Sequence, residues 1–156
     1  MRMRTVVLLA LVGALAQPVL AEEGTSNLDI LIQKVKADKK LLVAANMNLT
    51  DEEGKVFWPI YDSYQKDLAA INTRLAKAIK EYADAYNAGP VPDDTAKKLF
   101  ADAIGAEKAE VDLKDSYLLK LEKVVPMSKA VRYLQIESKI RAALRFELAD
   151  RIPLVD

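Results

Sequence analysis

The side chains best suited to chemistry in this sequence are carboxylates, and adjacent pairs of them include Glu52-Glu53 and Asp93-Asp94. Two carboxylates can serve as acid and base, as in glycoside hydrolysis. Both pairs fall where a helix is predicted to begin, and helix capping explains acidic residues at that place. The chain contains no His and no Cys, which excludes triads built on them and imidazole catalysis. We therefore predict that the protein is not an enzyme.

Metal and cofactor sites are not predicted either. The usual sites for zinc, copper and nickel use nitrogen or thiolate ligands, which this chain lacks. Met47 and Met127 are too far apart in the sequence to suggest a site. No glycine-rich phosphate loop is present. The sequence therefore predicts no cofactor and no metal, and a cation site made only of carboxylates is the one metal alternative.

The most informative segment follows Pro126, where basic and apolar side chains are spread around a whole predicted helix, helix four. A helix on the surface of a bundle normally shows one polar face, and this helix does not. Either it offers a mixed surface to a second copy or to an unfolded chain, or it lies buried with its arginines reaching water. Our candidate protein-binding residues are Arg132, Tyr133, Ile136, Lys139, Arg141, Arg145 and Phe146.

Helices must position these residues, because Ala, Leu, Lys and Glu dominate the chain and favour helix. A capping box, formed by Thr50 and Glu53 and preceded by Leu49, predicts the start of helix two. The stretch 87–90, Asn-Ala-Gly-Pro, predicts its end. A strict 4-3 spacing within the helix predicts a coiled-coil-like seam for a partner helix. The seam consists of Phe57, Tyr61, Tyr64, Leu68, Ile71, Leu75, Ala78, Tyr82 and Ala85.

The loop after helix two is short, so helix three is predicted to turn back antiparallel. Asp93, Asp94 or Thr95 is predicted to cap helix three, which should run to about Val124 before Pro126 opens helix four. Helix two would be roughly 55–60 Å long at about 1.5 Å per residue, too long for a compact globule of this size. We predict an all-α fold, an elongated four-helix arrangement built on a long antiparallel helical hairpin.

Trp58, the only tryptophan, directly precedes Pro59 in the early turns of helix two. A proline inside a helix removes one backbone hydrogen bond and bends the helix. We predict that this bend wraps the start of helix two around the other helices, with Trp58 closing one end of the core. The alternative is that Trp58 faces solvent as an anchor for a partner protein.

Residues 1–21 are typical of a Sec-type signal peptide, with a basic start at Arg2 and Arg4, an apolar run over 6–16 and a small residue, Ala21, at the predicted cleavage site. The alternative is an uncleaved N-terminal anchor, although the run is short for a membrane span of about 20 residues. Residues 22–156 are then predicted to form a single helical domain in the periplasm. No later apolar run is long enough to cross a bilayer.

The charge of the exported chain is close to neutral. Of 23 basic residues, 23 − 2 = 21 remain once Arg2 and Arg4 are removed, against 23 acidic residues, which leaves a net charge of 2 negative. Proteins that bind nucleic acid need a concentrated basic face. We therefore predict no nucleic-acid partner. With no Cys, the chain has neither a lipoprotein attachment site nor a disulfide.

The signal peptide, the four helices and the absence of Cys accompany one short motif, Leu49-Thr50-Asp51-Glu52-Glu53. This combination resembles the Spy/CpxP family of periplasmic helical proteins, which is named for its LTxxQ motif, with Glu53 in place of the Gln. Of the family's second motif, Leu-Thr-Pro-x-Gln, Pro126 is retained here. The resemblance implies a cradle-shaped helical dimer that acts as an ATP-independent chaperone or as the partner of an envelope-stress sensor. A related group senses heavy metals.

The sequence thus predicts an exported helical binding protein, an ATP-independent chaperone or envelope-stress adaptor of the Spy/CpxP type. Its partners would be unfolded clients or an envelope sensor, and it could form a homodimer. Binding would use the basic and apolar surface of helix four, together with the Lys-rich helix one. The alternatives are a structural or regulatory envelope protein and a metal-sensing periplasmic protein.

Overall fold

A computed structural model describes the backbone of residues 27–155 and the side chains from residue 37 onward. The predicted signal peptide, residues 1–21, lies outside the described residues. The described chain is all-α, which confirms the predicted fold class. Its helices are α1 (Asn27–Met47), α2 (Asp51–Ala88), α3 (Asp93–Leu121) and α4 (Met127–Arg151). None of them carries an apolar stretch that could span a membrane.

The start of α2 is the predicted capping box. The Glu53 backbone N–H donates to Thr50 Oγ1 at 3.2 Å, and the Thr50 N–H donates to Glu53 Oε2 at 2.8 Å. The ammonium group of Lys129, in α4, also binds Glu53. The hydrogen bond from Lys129, followed by those within the box, lowers the pKa of the Glu53 carboxyl. The box therefore joins the first turn of α2 to the first turn of α4.

The other helix ends are set by proline and glycine. As predicted, α2 ends at Ala88, before Gly89, whose φ of 145° suits glycine. The prediction that an Asp or Thr side chain caps α3 is wrong, because Pro92 holds the extended N-cap position and no side chain caps this end. The helix ends at Leu121, three residues before the predicted end at Val124. Pro126 is the N-cap of α4 rather than its first residue.

Side-chain contacts define the directions of the helices. On α2 and α3, Glu81 pairs with Lys98 at 2.7 Å and Asp67 accepts from the Tyr117 hydroxyl at 2.6 Å, so the two helices run antiparallel. Lys39 of α1 pairs with Glu137 of α4 at 2.7 Å, whereas Lys129 reaches the Asn48 carbonyl, so these two helices are also antiparallel. Whether the whole molecule is elongated stays a prediction.

The core is an aromatic cluster in which rings from three helices meet edge to face. The ring of Tyr133, in α4, lies 5.2 Å from that of Phe57 and 5.6 Å from that of Tyr64, both in α2. The ring of Tyr117, in α3, lies 5.2 Å from that of Tyr64. Such contacts stabilise a core beyond the area they bury. Val43 and Met47 of α1 close the cluster and are fully buried.

The predicted seam of α2 contains every residue of this helix that the structure buries, namely Phe57, Tyr61, Tyr64, Leu68, Ile71 and Ala78. The remaining seam positions, Leu75, Tyr82 and Ala85, are half-buried. The seam has more than one partner helix, because its first half contacts α4 as well as α3. Trp58, which we predicted to close one end of the core, is half-buried and packs against the core cluster, and its neighbour Phe57 is fully buried.

The C-terminal tail folds back onto the end of α2. The Tyr82 hydroxyl donates to the Pro153 carbonyl at 2.9 Å. Ile152 and Pro153 are half-buried there, beside Ile79 and Tyr86. This contact fixes the end of α4 beside the end of α2.

Candidate protein-binding surface

The structure divides the predicted protein-binding residues of α4 between the interior and the surface. Tyr133 is fully buried, Arg141 is 9% exposed and Ile136 is half-buried. Those three residues act inside the bundle. The exposed residues of the set are Arg132, Lys139, Arg145 and Phe146. The interpretation that α4 is buried therefore applies to one face of the helix, while its other face is exposed, and binding by that exposed face stays a prediction.

Arg141 is held inside by a buried carboxylate on α3. Its Nε donates to Glu110 Oε2 at 2.6 Å, and its Nη1 donates to Asn72 Oδ1, on α2, at 2.7 Å. Lys114 and Arg145 approach the same carboxylate at 3.1 and 3.3 Å. We call these five residues the Glu110 cluster. A buried charge is tolerated when it is paired and hydrogen-bonded, and this cluster joins α2, α3 and α4.

The pKa of Glu110 reflects two opposed effects. Burial acts to raise the pKa of its carboxyl, but the hydrogen bonds and positive charges of Arg141 and Lys114 outweigh burial. The pKa is therefore held below its ordinary value of 4.5. Glu110 stays ionised in the folded protein under mildly acidic conditions, where a free glutamate begins to take up a proton.

We expect the free energy of unfolding to decrease as the pH falls below 4.5, the ordinary glutamate value. A carboxyl group whose pKa is lower in the folded than in the unfolded chain stabilises the fold well above the unfolded pKa. This stabilisation is lost as the pH falls through the folded pKa. Urea unfolding from about pH 3 to about pH 7 measures it. Glu110→Gln should show a shallower dependence on pH than the wild type, whereas Glu107→Gln, which changes an exposed carboxylate on the same helix, should not. Equal slopes for Glu110→Gln and the wild type would contradict the assignment.

A second buried carboxylate, Glu137, joins α4 to α1 and α2. Its oxygens bind Lys39 Nζ and Gln65 Nε2, each at 2.7 Å. Gln65 also donates to the Tyr133 hydroxyl at 3.1 Å. Burial, followed by the charge of Glu137, raises the pKa of the Tyr133 phenol, which stays neutral. Every buried side-chain nitrogen and oxygen atom in the described chain has a hydrogen-bond partner, so the polar groups of this interior are engaged in structural contacts.

The outer face of α4 carries three of the predicted residues at intervals of seven positions, Arg132, Lys139 and Phe146. Residues seven apart lie on the same side of an α-helix. Phe146 is 77% exposed. Arg132 Nε donates to the Asn46 carbonyl in the last turn of α1, where a cation also suits the helix dipole. This face therefore combines cations with a large exposed ring.

Sequence reasoning missed a second apolar stripe, on α3. Phe100, Ile104 and Val111 are 69%, 47% and 62% exposed, and we predicted no role for them from the sequence. The buried positions of α3 repeat at intervals of seven and four: Leu99, Ala106, Glu110, Tyr117 and Leu121. Phe100, Ile104 and Val111 lie on a different side of the helix from that series, at about 100° per residue. A helix with two apolar stripes was the signal that could have revealed them.

The stripe on α3 and the exposed face of α4 come to a similar level along the bundle at Val111 and Phe146. Glu110 and Arg145 approach each other across α3 and α4 at 3.3 Å. Val111 directly follows Glu110, and Phe146 directly follows Arg145. We call the set Phe100, Ile104, Val111, Lys139 and Phe146 the outer α3–α4 surface. Large exposed apolar groups arranged in this way mark interaction sites more often than isolated ones do.

A metal site in the described part of the chain would have to use carboxylates, because the sequence has no His and no Cys. No group of three or more Asp or Glu side chains in this part of the chain is arranged to hold a metal ion. The helix-cap residues Leu49, Thr50 and Glu53 have structural contacts at the start of α2.

No protein-family model, no curated protein and no solved structure matches the chain. The molecule's own exposed groups on α3 and α4 are therefore the basis for a functional proposal.

Proposed function

We propose that the protein is an exported, ATP-independent chaperone-like binding protein that holds apolar segments of unfolded proteins on its outer α3–α4 surface. The observation that carries the proposal is the exposure of Phe100, Ile104 and Val111 along one side of α3, with Phe146 exposed on α4 at the level of Val111. The predicted signal peptide and the resemblance to the Spy/CpxP family support a periplasmic site of action.

The dimensions of this surface suit a short extended segment. From Phe100 to Val111 the helix rises roughly 16 Å at about 1.5 Å per residue. An extended client chain covers that length with about five residues at roughly 3.3 Å each. Alternate side chains of such a chain point to the same side, so about three of them can contact the stripe. The surface therefore recognises an apolar pattern rather than a folded shape.

The energetics favour reversible binding. Full burial of a large apolar side chain contributes about 1.5–3 kcal/mol, and these side chains are already partly covered. Ordering a flexible client opposes much of that gain. Lys139 adds a cation two turns from Phe146 on the same side of α4, which attracts clients with acidic groups and makes the encounter sensitive to salt. Clients should therefore bind weakly and leave without ATP.

The test is suppression of aggregation of a denatured client protein, followed by light scattering at low salt. The wild type should suppress aggregation at stoichiometric amounts. The triple variant Phe100→Ser/Ile104→Ser/Val111→Ser should need roughly tenfold more protein for the same effect, because the stripe is its main contact. These side chains are exposed, so the fold should persist, and a circular dichroism melt verifies this.

A matched control removes exposed apolar groups elsewhere. Val56→Ser/Leu119→Ser changes two exposed residues that are not part of the outer α3–α4 surface and should protect the client as well as the wild type does. Absence of protection by the wild type would reject chaperone activity. Full protection by the triple variant would show that clients do not bind to the outer α3–α4 surface. Capture of one defined partner without protection of varied clients would favour the role of an adaptor for an envelope sensor.

Export can be tested separately. Cell fractionation should place the protein in the periplasm. Mass spectrometry of the purified protein should find Glu22 as its first residue, because cleavage is predicted after Ala21. An intact N-terminus in the membrane fraction would instead indicate an uncleaved anchor.

A further inference from the structure

A groove lies between the end of α1 and the first turns of α2, away from the outer α3–α4 surface. Its apolar part is formed by Leu49, Trp58 and Pro59, and Asp51 and Asp62 stand at its rim. We call it the Trp58 groove. The first turns of α2, which form this groove, are distant from the stripe on α3, because the start of that stripe lies near Lys98, which pairs with Glu81 in the last turns of α2.

Gly54 keeps one side of this groove open. A glycine in a helix costs about 1 kcal/mol relative to alanine, so its position in the first turn of α2 calls for a reason. A Cβ at residue 54 would meet only Trp58, with Nε1 at 3.6 Å and Cδ1 at 3.8 Å, which are ordinary contact distances. Packing therefore does not require glycine here. Its effect is to leave the N–H edge of the indole accessible.

Trp58 is held rigidly with a free hydrogen-bond donor. Edge-to-face contacts with Phe57 at 5.0 Å and with Tyr61 at 5.4 Å fix its ring. The Lys40 ammonium lies 5.2 Å from the ring centroid. Among the described residues, no acceptor binds the indole N–H. A fixed aromatic ring with an unused donor can bind an apolar ligand that carries a carbonyl group.

The charges at the rim favour a basic neighbour. Asp62 is paired with Lys40 at 2.9 Å, and Lys55 is paired with Glu52 at 2.7 Å. Asp51 is exposed and forms no ion pair within the described part of the chain. The unmatched charge beside the groove is therefore negative, which complements an Arg or Lys on a ligand.

We propose that the Trp58 groove binds an extended, proline-containing peptide segment with a basic residue next to it. Proline-rich segments adopt a polyproline II conformation whose carbonyl groups make no internal hydrogen bonds, so one of them can accept from the indole N–H. Proline rings pack against Trp58 and Pro59, and the basic side chain pairs with Asp51. This site is separate from the outer α3–α4 surface and does not depend on the proposed chaperone function.

The test is fluorescence anisotropy of a labelled peptide, Arg-Pro-Leu-Pro-Pro-Leu-Pro, titrated with the purified protein. Saturable binding is expected for the wild type. Gly54→Leu fills the groove and should weaken binding about tenfold or more. Trp58→Phe keeps an aromatic ring but removes the donor, and should weaken binding about fivefold. Ala69→Leu adds the same side chain at an exposed position of α2 outside the groove and should leave the affinity within about twofold.

The charge prediction uses a second peptide with Asp in place of Arg, which should bind the wild type about fivefold more weakly. The difference between the two peptides should shrink in Asp51→Asn. Circular dichroism melts verify that each variant is folded. If Gly54→Leu does not fold, Trp58→Phe provides the test of the groove. Lack of saturable binding to the wild type, or equal binding to wild type, Gly54→Leu and Trp58→Phe, would overturn the proposal.

Discussion

Replacing Glu110 by alanine should lower the free energy of unfolding by about 3–5 kcal/mol. Glu110 is 2% exposed and accepts from Arg141 at 2.6 Å. Without Glu110, Arg141 would retain a neutral partner, Asn72, and a buried charge without a counterion is strongly destabilising. Urea unfolding at neutral pH, followed by circular dichroism, measures the loss.

Truncating Arg141 instead of Glu110 should lower the free energy of unfolding by less. In Arg141→Ala, Glu110 would still have Lys114 at 3.1 Å and Arg145 at 3.3 Å, so its charge remains compensated. The double variant Glu110→Leu/Arg141→Met should recover much of the stability lost in Glu110→Ala, because well-packed apolar groups can replace a buried ion pair. Lys139→Ala, an exposed change on the same helix as Arg141, should alter stability by less than about 0.5 kcal/mol. A loss below about 1 kcal/mol in Glu110→Ala would show that the cluster is not a buried, coupled unit.

Phe57→Ala should lower the free energy of unfolding by about 3–5 kcal/mol. Phe57 is fully buried, with its ring 5.0 Å from that of Trp58 and 5.2 Å from that of Tyr133. The substitution removes a large apolar group and leaves a cavity where α2 meets α4, and a rigid core fills such a cavity only in part. Urea unfolding measures the change, and the emission of Trp58 reports on the same region.

The neighbouring residue provides the control. Val56→Ala removes an apolar group from an exposed position and should change stability by less than about 0.5 kcal/mol. Phe57→Leu, which leaves a smaller cavity, should fall between the two. A loss in Phe57→Ala no greater than that in Val56→Ala would mean that the aromatic cluster does not hold α2 against α4.

The helices and several of their ends could be predicted because their causes are local. The capping box of Thr50 and Glu53 acts within one turn, and Gly89 ends α2 by its own backbone conformation. The start of α3 was predicted less well. Pro92, with its fixed φ, takes the N-cap position beside Asp93, and side-chain capping preferences did not anticipate this.

The candidate surface could be predicted only in part. Helix four has basic and apolar residues on all sides, so its sequence alone left the inward face undetermined. Arg141 is buried because its partner, Glu110, stands 31 positions earlier on another helix. Lys139, two positions before Arg141, is exposed. On α3, Leu99 is buried and its neighbour Phe100 is exposed, because α2 and α4 can cover only one side of that helix.

The sequence by itself determined that this chain is helical and where α2 begins and ends, since propensity, capping and glycine or proline termination act within a few residues. The tertiary structure decided which side of each helix is buried. That choice depends on contacts between distant parts of the chain, such as Tyr133 with Phe57 and Glu137 with Lys39. The same contacts leave other apolar side chains exposed, above all Phe100 and Phe146.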